Sequence, residues 1–197
     1  MEEILNRLDQ KFYVQARDVQ RRNLAFITLN KNVAVQAITY LRDVEGFRHL
    51  VLISAVDYIE RNLFQLTYIL HNYRLHSDIA VRVEIDRQNP QMESIHHLWA
   101  AAQVYQRELK EMFGIDFPGS PRVDESMILE GWDNIPPMRK EFDTKKYSEE
   151  TYFPREGRAS CDPVKIMEKK LYRVEAEVKY EIKRIVRDNR DKQASGE

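Results

Sequence analysis

The stretch IAVRVEI, residues 79–85, sets Ile79, Val81, Val83 and Ile85 on one side of an extended chain and Ala80, Arg82 and Glu84 on the other. That period of two is the pattern of a strand with one buried and one wet face. Two further apolar runs precede it at short intervals. In LFQLTYIL (63–70), Phe64, Leu66, Tyr68 and Leu70 share a side, and HLVLISAV (49–56) is apolar on both faces, as a central strand would be. Three strands so close in sequence predict a mostly antiparallel sheet.

Working outward, LAFITL (24–29), bounded by Asn23 and Asn30, reads as another strand. EEILNRLDQKF (2–12) places Ile4, Leu5, Leu8 and Phe12 at helical spacing, with Glu2 and Glu3 in the first turn, where the helix dipole favours anions. Ala34, Ala37, Ile38 and Leu41 predict a second helix, stopped by Gly46. Beyond Pro90 a long helix is predicted from Glu93 to Phe113, closed by Gly114. Residues 1–114 are therefore expected to form an α+β domain, a ferredoxin-like antiparallel sheet with helices on one face.

The pattern changes after Gly114. Pro118, Pro121, Pro136, Pro137 and Pro154 interrupt residues 115–162, which show little periodicity. Phe117, Trp132, Met138, Phe142 and other apolar residues make this stretch too hydrophobic for a free linker. It reads as an extended, partner-binding arm. Residues 163–197 follow as an amphipathic helix and tail. There Val164, Met167, Leu171, Val174, Val178, Ile182 and Ile185 form a narrow seam, suited equally to the chain's own domain or to a partner.

Composition excludes several classes. Lys and Arg total 31 against 32 Asp and Glu, a formal net charge of -1, so the surplus of positive charge used in nucleic-acid binding is missing. Cys161 is the one cysteine, which rules out an intrachain disulfide and four-thiolate metal sites and suggests a reducing, intracellular setting. Residues 1–14 carry charge throughout, without the apolar core of a leader, and no run is long enough to span a membrane. The six glycines are scattered at 46, 114, 119, 131, 157 and 196, with no phosphate-binding loop. His49, His71, His76, His96 and His97 show no metal-ligand spacing, and Cys161 has no histidine near it in sequence.

What stands out is the end of the long predicted helix. Ile95, Leu98, Trp99, Ala102, Tyr105, Leu109, Met112 and Phe113 share one arc, with Arg107 and Glu111 opposite and Gln106 inside the apolar arc. A buried amide needs a partner, because leaving it unpaired costs ~1–3 kcal/mol. The arm folding back across the helix end is the expected one.

These residues also carry a family resemblance. WAAAQVYQRELKEMFGIDFPGSP, followed by MILEGWDNIPPMRKEFD, resembles the signature of the 30-kilodalton subunit of respiratory complex I and its counterpart in membrane-bound nickel-iron hydrogenase and sulfane reductase complexes. Arg107 and Glu108 match the last two positions of the family's Glu-Arg-Glu. Phe113, Gly114 and Ile115 match its Phe-Gly-Ile, and Arg139, Lys140, Glu141 and Phe142 its Arg-Lys-acid-Phe. Gln106 replaces the first glutamate, Ser120 stands where histidine is common, and Ile135-Pro136-Pro137 replaces a second Gly-His-Pro. These departures favour the hydrogenase-like and sulfane-reductase-like relatives.

The resemblance implies a non-catalytic accessory subunit on the cytoplasmic face of the cell membrane, held there through partners. It implies no cofactor in this chain; iron-sulfur clusters, and nickel-iron in the hydrogenase type, belong to partner subunits. The partners implied are a hydrogenase-like large subunit and iron-sulfur subunits, with membrane subunits contacted indirectly. Arg107, Glu108, Phe113, Phe117, Trp132, Met138, Arg139, Lys140 and Phe142 are the candidate partner-interface residues. Two other readings remain: the equivalent subunit of an NADH- or ferredoxin-quinone oxidoreductase, and a stand-alone ferredoxin-like enzyme using carboxylates with His71 or His76.

Overall fold

The computed structural model describes residues 1–152. The helix predicted at 163–188, the tail and Cys161 lie outside these residues. The chain divides into two compact units, Met1–Phe142 and Asp143–Glu197.

The first unit is an α+β sandwich. Its elements are α1 (Glu2–Phe12), β1 (Ala16–Arg21), β2 (Leu24–Leu29), α2 (Lys31–Asp43), β3 (His49–Tyr58), β4 (Leu63–Asn72), β5 (Ser77–Asp86) and α3 (Ala102–Phe113). The sheet runs β1-β2-β5-β4-β3, antiparallel except where β2 and β5 pair in parallel. The alternation read from sequence holds: Phe64, Leu66, Tyr68 and Leu70 are fully buried, and Ile79, Val81 and Val83 lie beside them across the β4–β5 ladder. Ile4, Leu5 and Leu8 of α1, Ala34, Ala37, Ile38 and Leu41 of α2, and Ala102, Leu109 and Phe113 of α3 join the same hydrophobic cluster. α2 starts where the Asn30 side chain accepts the Asn32 N–H at 3.0 Å, a side-chain N-cap.

Several features differ from the sequence expectation. β1 (ARDVQR) has no strand signature in sequence because all six residues are exposed and none alternates toward a core. Backbone pairing to β2 and the ties of Arg17 to Asn6 and Asp9 on α1 hold it instead.

β3 is an edge strand, not a central one. Its apolar residues are not all covered, since Val51 and Val56 are 36% and 42% exposed, and its open edge is met by α3 and the preceding turns: the Tyr105 hydroxyl donates to the Val51 carbonyl at 2.9 Å, and Trp99 Nε1–H to the Arg48 carbonyl at 2.8 Å. Val51 is the extra residue of a β-bulge between Leu50 and Leu52, which leaves its backbone groups free of the ladder.

The long helix is also shorter than predicted, beginning at Ala102 instead of Glu93. Ser94 Oγ accepts the His96 N–H at 3.2 Å and opens a series of turns closed by i to i+3 bonds, such as Leu98 N–H to Ile95 O at 2.9 Å. Those turns keep Ile95 buried at a roughly helical interval without a continuous helix.

The arm differs most. Residues 115–142 belong to the compact unit, with Ile115 and Phe117 fully buried in the core, so the compact unit runs past the boundary expected at Gly114. In the second unit, α4 (Thr144–Tyr152) begins where the Asp143 carboxylate accepts the N–H groups of Lys145 and Lys146, each at 3.0 Å.

Candidate functional site

The site is built where α3 ends. Gly114 takes the left-handed conformation, φ 74°, and its N–H reaches the Lys110 carbonyl at 2.8 Å. A side chain here would also collide: a Cβ would sit 3.0 Å from Arg139 Nη2 and 3.2 Å from Pro136 Cγ. Glycine thus serves both the turn and the close approach of the later loop.

That loop caps the helix. Arg139 Nε–H donates to the Phe113 carbonyl at 2.7 Å, and the Met138 N–H to the Met112 carbonyl at 3.0 Å. Both occupy carbonyls that a helix C-terminus leaves without an internal partner, and a cation there is favoured by the helix dipole. The Arg139 guanidinium also lies 5.4 Å from the centre of the Phe64 ring, which meets Phe113 edge-on at 6.0 Å.

Beside it is a nearly dry carboxylate. The Asp57 side chain, at the end of β3, is 1% exposed and receives Arg87 through two bonds, at 2.7 and 3.0 Å. The Lys140 N–H donates to the same carboxylate at 2.9 Å, and Arg87 also pairs with Glu141. Burial alone would raise the Asp57 pKa, but the Arg87 and Lys140 bonds and the charges of Arg87 and Arg139 together hold it below the usual carboxylate range. Glu141 is lowered as well, chiefly by its bond to Arg87. The Arg-Lys-acid-Phe run is therefore fixed at each position: Arg139 on the helix end, Lys140 through its backbone, Glu141 on Arg87, and Phe142 5.5 Å from the Trp132 ring.

The polar face of α3 holds the earlier part of the arm. Lys110 bonds Asp116 at 2.8 Å and also pairs with Asp124, while Arg107 lies 4.0 Å from Glu125. Desolvation opposes the charge on Lys110, yet these two carboxylates leave its pKa raised. Glu111 accepts three consecutive backbone N–H groups, from Met127 at 2.9 Å, Ile128 at 3.1 Å and Leu129 at 2.7 Å. Its pKa is lowered because these bonds outweigh partial burial.

Sequence reasoning does not single out Lys110 and Glu111 as site residues, although a signal is present. Arg107, Lys110 and Glu111 recur at i, i+3 and i+4 on the helix side away from the core, and Asp116, Asp124 and Glu125 follow with complementary charge.

The predicted interface residues separate into four groups. Phe113 and Phe117 are core residues, 8% and 0% exposed, and present no surface to a partner. Arg107 and Arg139 are half-buried and bind the chain's own loop. Glu108, Lys140 and Met138 are exposed, and Trp132 and Phe142 are half-buried against each other. Gln106 is fully buried, but its partner is Ser94, whose hydroxyl donates to Gln106 Oε1 at 2.8 Å, and not the arm. Met127, Ile128, Ile135 and Met138 stand 39%, 68%, 43% and 56% exposed on this loop.

The histidines considered for an enzyme lie elsewhere. His71 Nδ1 is 2.7 Å from Asp78 Oδ1 and its ring meets Tyr73, while His76 is exposed in the turn between β4 and β5. Among the described residues no group of His, Cys, Asp and Glu is placed to hold a metal ion, and no helix is long and apolar enough to cross a membrane.

Comparison with known proteins matches residues 27–148 to the family model described as the respiratory-chain NADH dehydrogenase 30 Kd subunit. The chain is 38% identical over 105 residues to an NADH-quinone oxidoreductase subunit from Moorella thermoacetica, covering 53% of this chain and 70% of that protein. It is 33% identical over 135 residues to the subunit of the same name from Phenylobacterium zucineum, covering 68% and 64%. The chain thus spans about two thirds of the length of these relatives. Among solved structures, a chain of the archaeal membrane-bound sulfane sulfur reductase, a respiratory membrane complex, superposes with a TM-score of 0.69 at 24% identity, covering 77% of this chain and 90% of that one. A trypsin-resistant fragment of Nqo5 superposes at 0.51 and 22% identity, covering 61% and 96%. Both show the same fold. The helix end, its closing glycine and the Arg-Lys-acid-Phe segment that caps it fall within the matched residues, and the chain belongs to the family of the 30 Kd subunit of the respiratory-chain NADH dehydrogenase.

Proposed function

We propose that this chain is a non-catalytic accessory subunit in the cytoplasmic redox arm of a membrane-bound, ion-translocating respiratory complex of the hydrogenase or sulfane reductase type. It docks on the nickel-iron-hydrogenase-like large subunit, and the iron-sulfur and nickel-iron centres belong to partner chains. The observation that supports this reading is the loop of residues 127–138. It is anchored at both ends to α3, yet it turns Met127, Ile128, Ile135 and Met138 outward. Exposed apolar side chains on a loop whose backbone is held in place are what a protein contact would use if they form one patch.

A second reading, the equivalent subunit of an NADH-quinone oxidoreductase, is favoured by the names of the relatives matched in sequence. One experiment tests both. The tagged chain is purified from membranes solubilised in mild detergent, and the accompanying proteins are identified by mass spectrometry. A hydrogenase-like large subunit with iron-sulfur and antiporter-like proteins supports the first reading, and NADH-oxidising subunits support the second. Recovery of the chain alone refutes both. The double variant Ile128→Asp/Met138→Asp is expected to lose the partners while keeping the melting temperature of the isolated chain.

A further inference from the structure

We propose that Glu111 is the positioning residue of the docking loop, a single carboxylate on α3 that gathers three successive N–H groups and so presents Met127 and Ile128 in a ready-made binding shape. The inference rests on the docking reading above and deepens it, since it names the group that gives the surface its form.

The geometry has three parts. First, residues 122–135 contain turns but no helix or strand, so their backbone has little regular pairing of its own. Second, the bonds from Met127, Ile128 and Leu129 converge on one side chain, and Ile128 lies 3.1 Å from both carboxylate oxygens. Charge-assisted bonds to a carboxylate are among the stronger ones available to a backbone. Third, two of the three residues pinned by their backbones are turned outward: Ile128 is 68% exposed and Met127 39%. Pinning the backbone of an exposed apolar turn contributes little to the hydrophobic core. It lowers the ordering cost that binding would otherwise carry, because the side chains are already held in place.

The neighbouring contacts hold the two flanks. Lys110 fixes Asp116 and Asp124, and the Met138 N–H on the Met112 carbonyl fixes the far end. Glu111 lies between them and acts on the apex. The polar side of α3 is therefore a clasp for the loop and not a solvated face.

The test compares the full chain with Glu111→Gln, which keeps the shape but removes the charge, and with Glu111→Asp, which keeps the charge. Amide hydrogen exchange in the native chain is expected to quicken about tenfold at 127–129 in E111Q, with a smaller change in E111D. The melting temperature should stay near that of the parent. Recovery with the complex from solubilised membranes should fall several-fold for E111Q and recover in part for E111D, a graded effect on docking that a purely structural role would not produce at constant stability. Unchanged exchange in E111Q overturns the proposal. Quickened exchange with normal recovery also overturns it, and leaves the docking reading intact provided that I128D/M138D still fails to assemble. Normal recovery of I128D/M138D instead refutes the docking reading itself.

Discussion

Asp57 shows how one buried carboxylate organises distant segments. Its side chain is 1% exposed, and it collects Arg87 from beyond β5 and the Lys140 N–H from the arm. Removing one member of such a pair leaves the other charge buried, so Asp57→Asn is expected to cost about 3 kcal/mol, read as a lowered denaturation midpoint. The pH dependence follows from the direction of the shift. The folded-state pKa lies below the usual value, so the stabilisation is fully present above the unfolded pKa of about 3.9 and is lost as pH falls through the folded one. Thermal melts between pH 6 and pH 2 should fall more steeply for the parent than for Asp57→Asn. Gly114 is the second test at this scale. At φ 74°, with Arg139 Nη2 3.0 Å from any added Cβ, Gly114→Ala combines strain with displacement of the arginine. A loss of about 1–2 kcal/mol from the backbone term alone is expected, measured by the same denaturation midpoint.

Among the elements, α3 has two working faces. Its apolar face closes the core through Ala102, Leu109 and Phe113, and its polar face holds the loop through Arg107, Lys110 and Glu111. The turn segment before it is tied to the helix by Ser94, whose hydroxyl donates to the buried Gln106 carbonyl oxygen at 2.8 Å. Ser94→Ala strands that oxygen and is expected to destabilise the chain by about 1–3 kcal/mol. Gln106→Leu should offset part of the loss in the double variant, since replacing both partners removes the unpaired group. Chemical denaturation of the two single variants and the double variant, read as a cycle, checks this.

For the molecule as a whole, the compact unit continues through Phe142. A truncation after Gly114 removes Ile115 and Phe117, both fully buried, and every contact made by Arg139. It is expected to aggregate or to melt without cooperativity. A truncation after Phe142 keeps those contacts and should retain a cooperative transition. Circular dichroism melts of the two fragments distinguish a loop that is part of the core from an arm that merely follows it.

Periodicity in the chain was enough to specify β2, β4, β5, α1 and α2, because each turns a regular apolar face to one core and that regularity is local. The motif residues from Arg107 to Phe142 lie within residues 27–148, whose match bears out the family resemblance. Other features were beyond the reach of local pattern. β1 carries no apolar alternation and is held by backbone pairing and the Arg17 ties. β3 reads as central but lies at the sheet edge, with Val51 and Val56 exposed, and its edge carbonyls are met by helix-borne Tyr105 and the turn residue Trp99 from more than fifty positions along the chain. The roles of Lys110 and Glu111 and the burial of Phe113 and Phe117 depend on residues 115–142 folding back on the helix. A helical wheel identifies the side of a helix that avoids water, but not which distant segment will cover the other side. That is set by which backbone donors and carboxylates the folded chain brings within hydrogen-bonding distance.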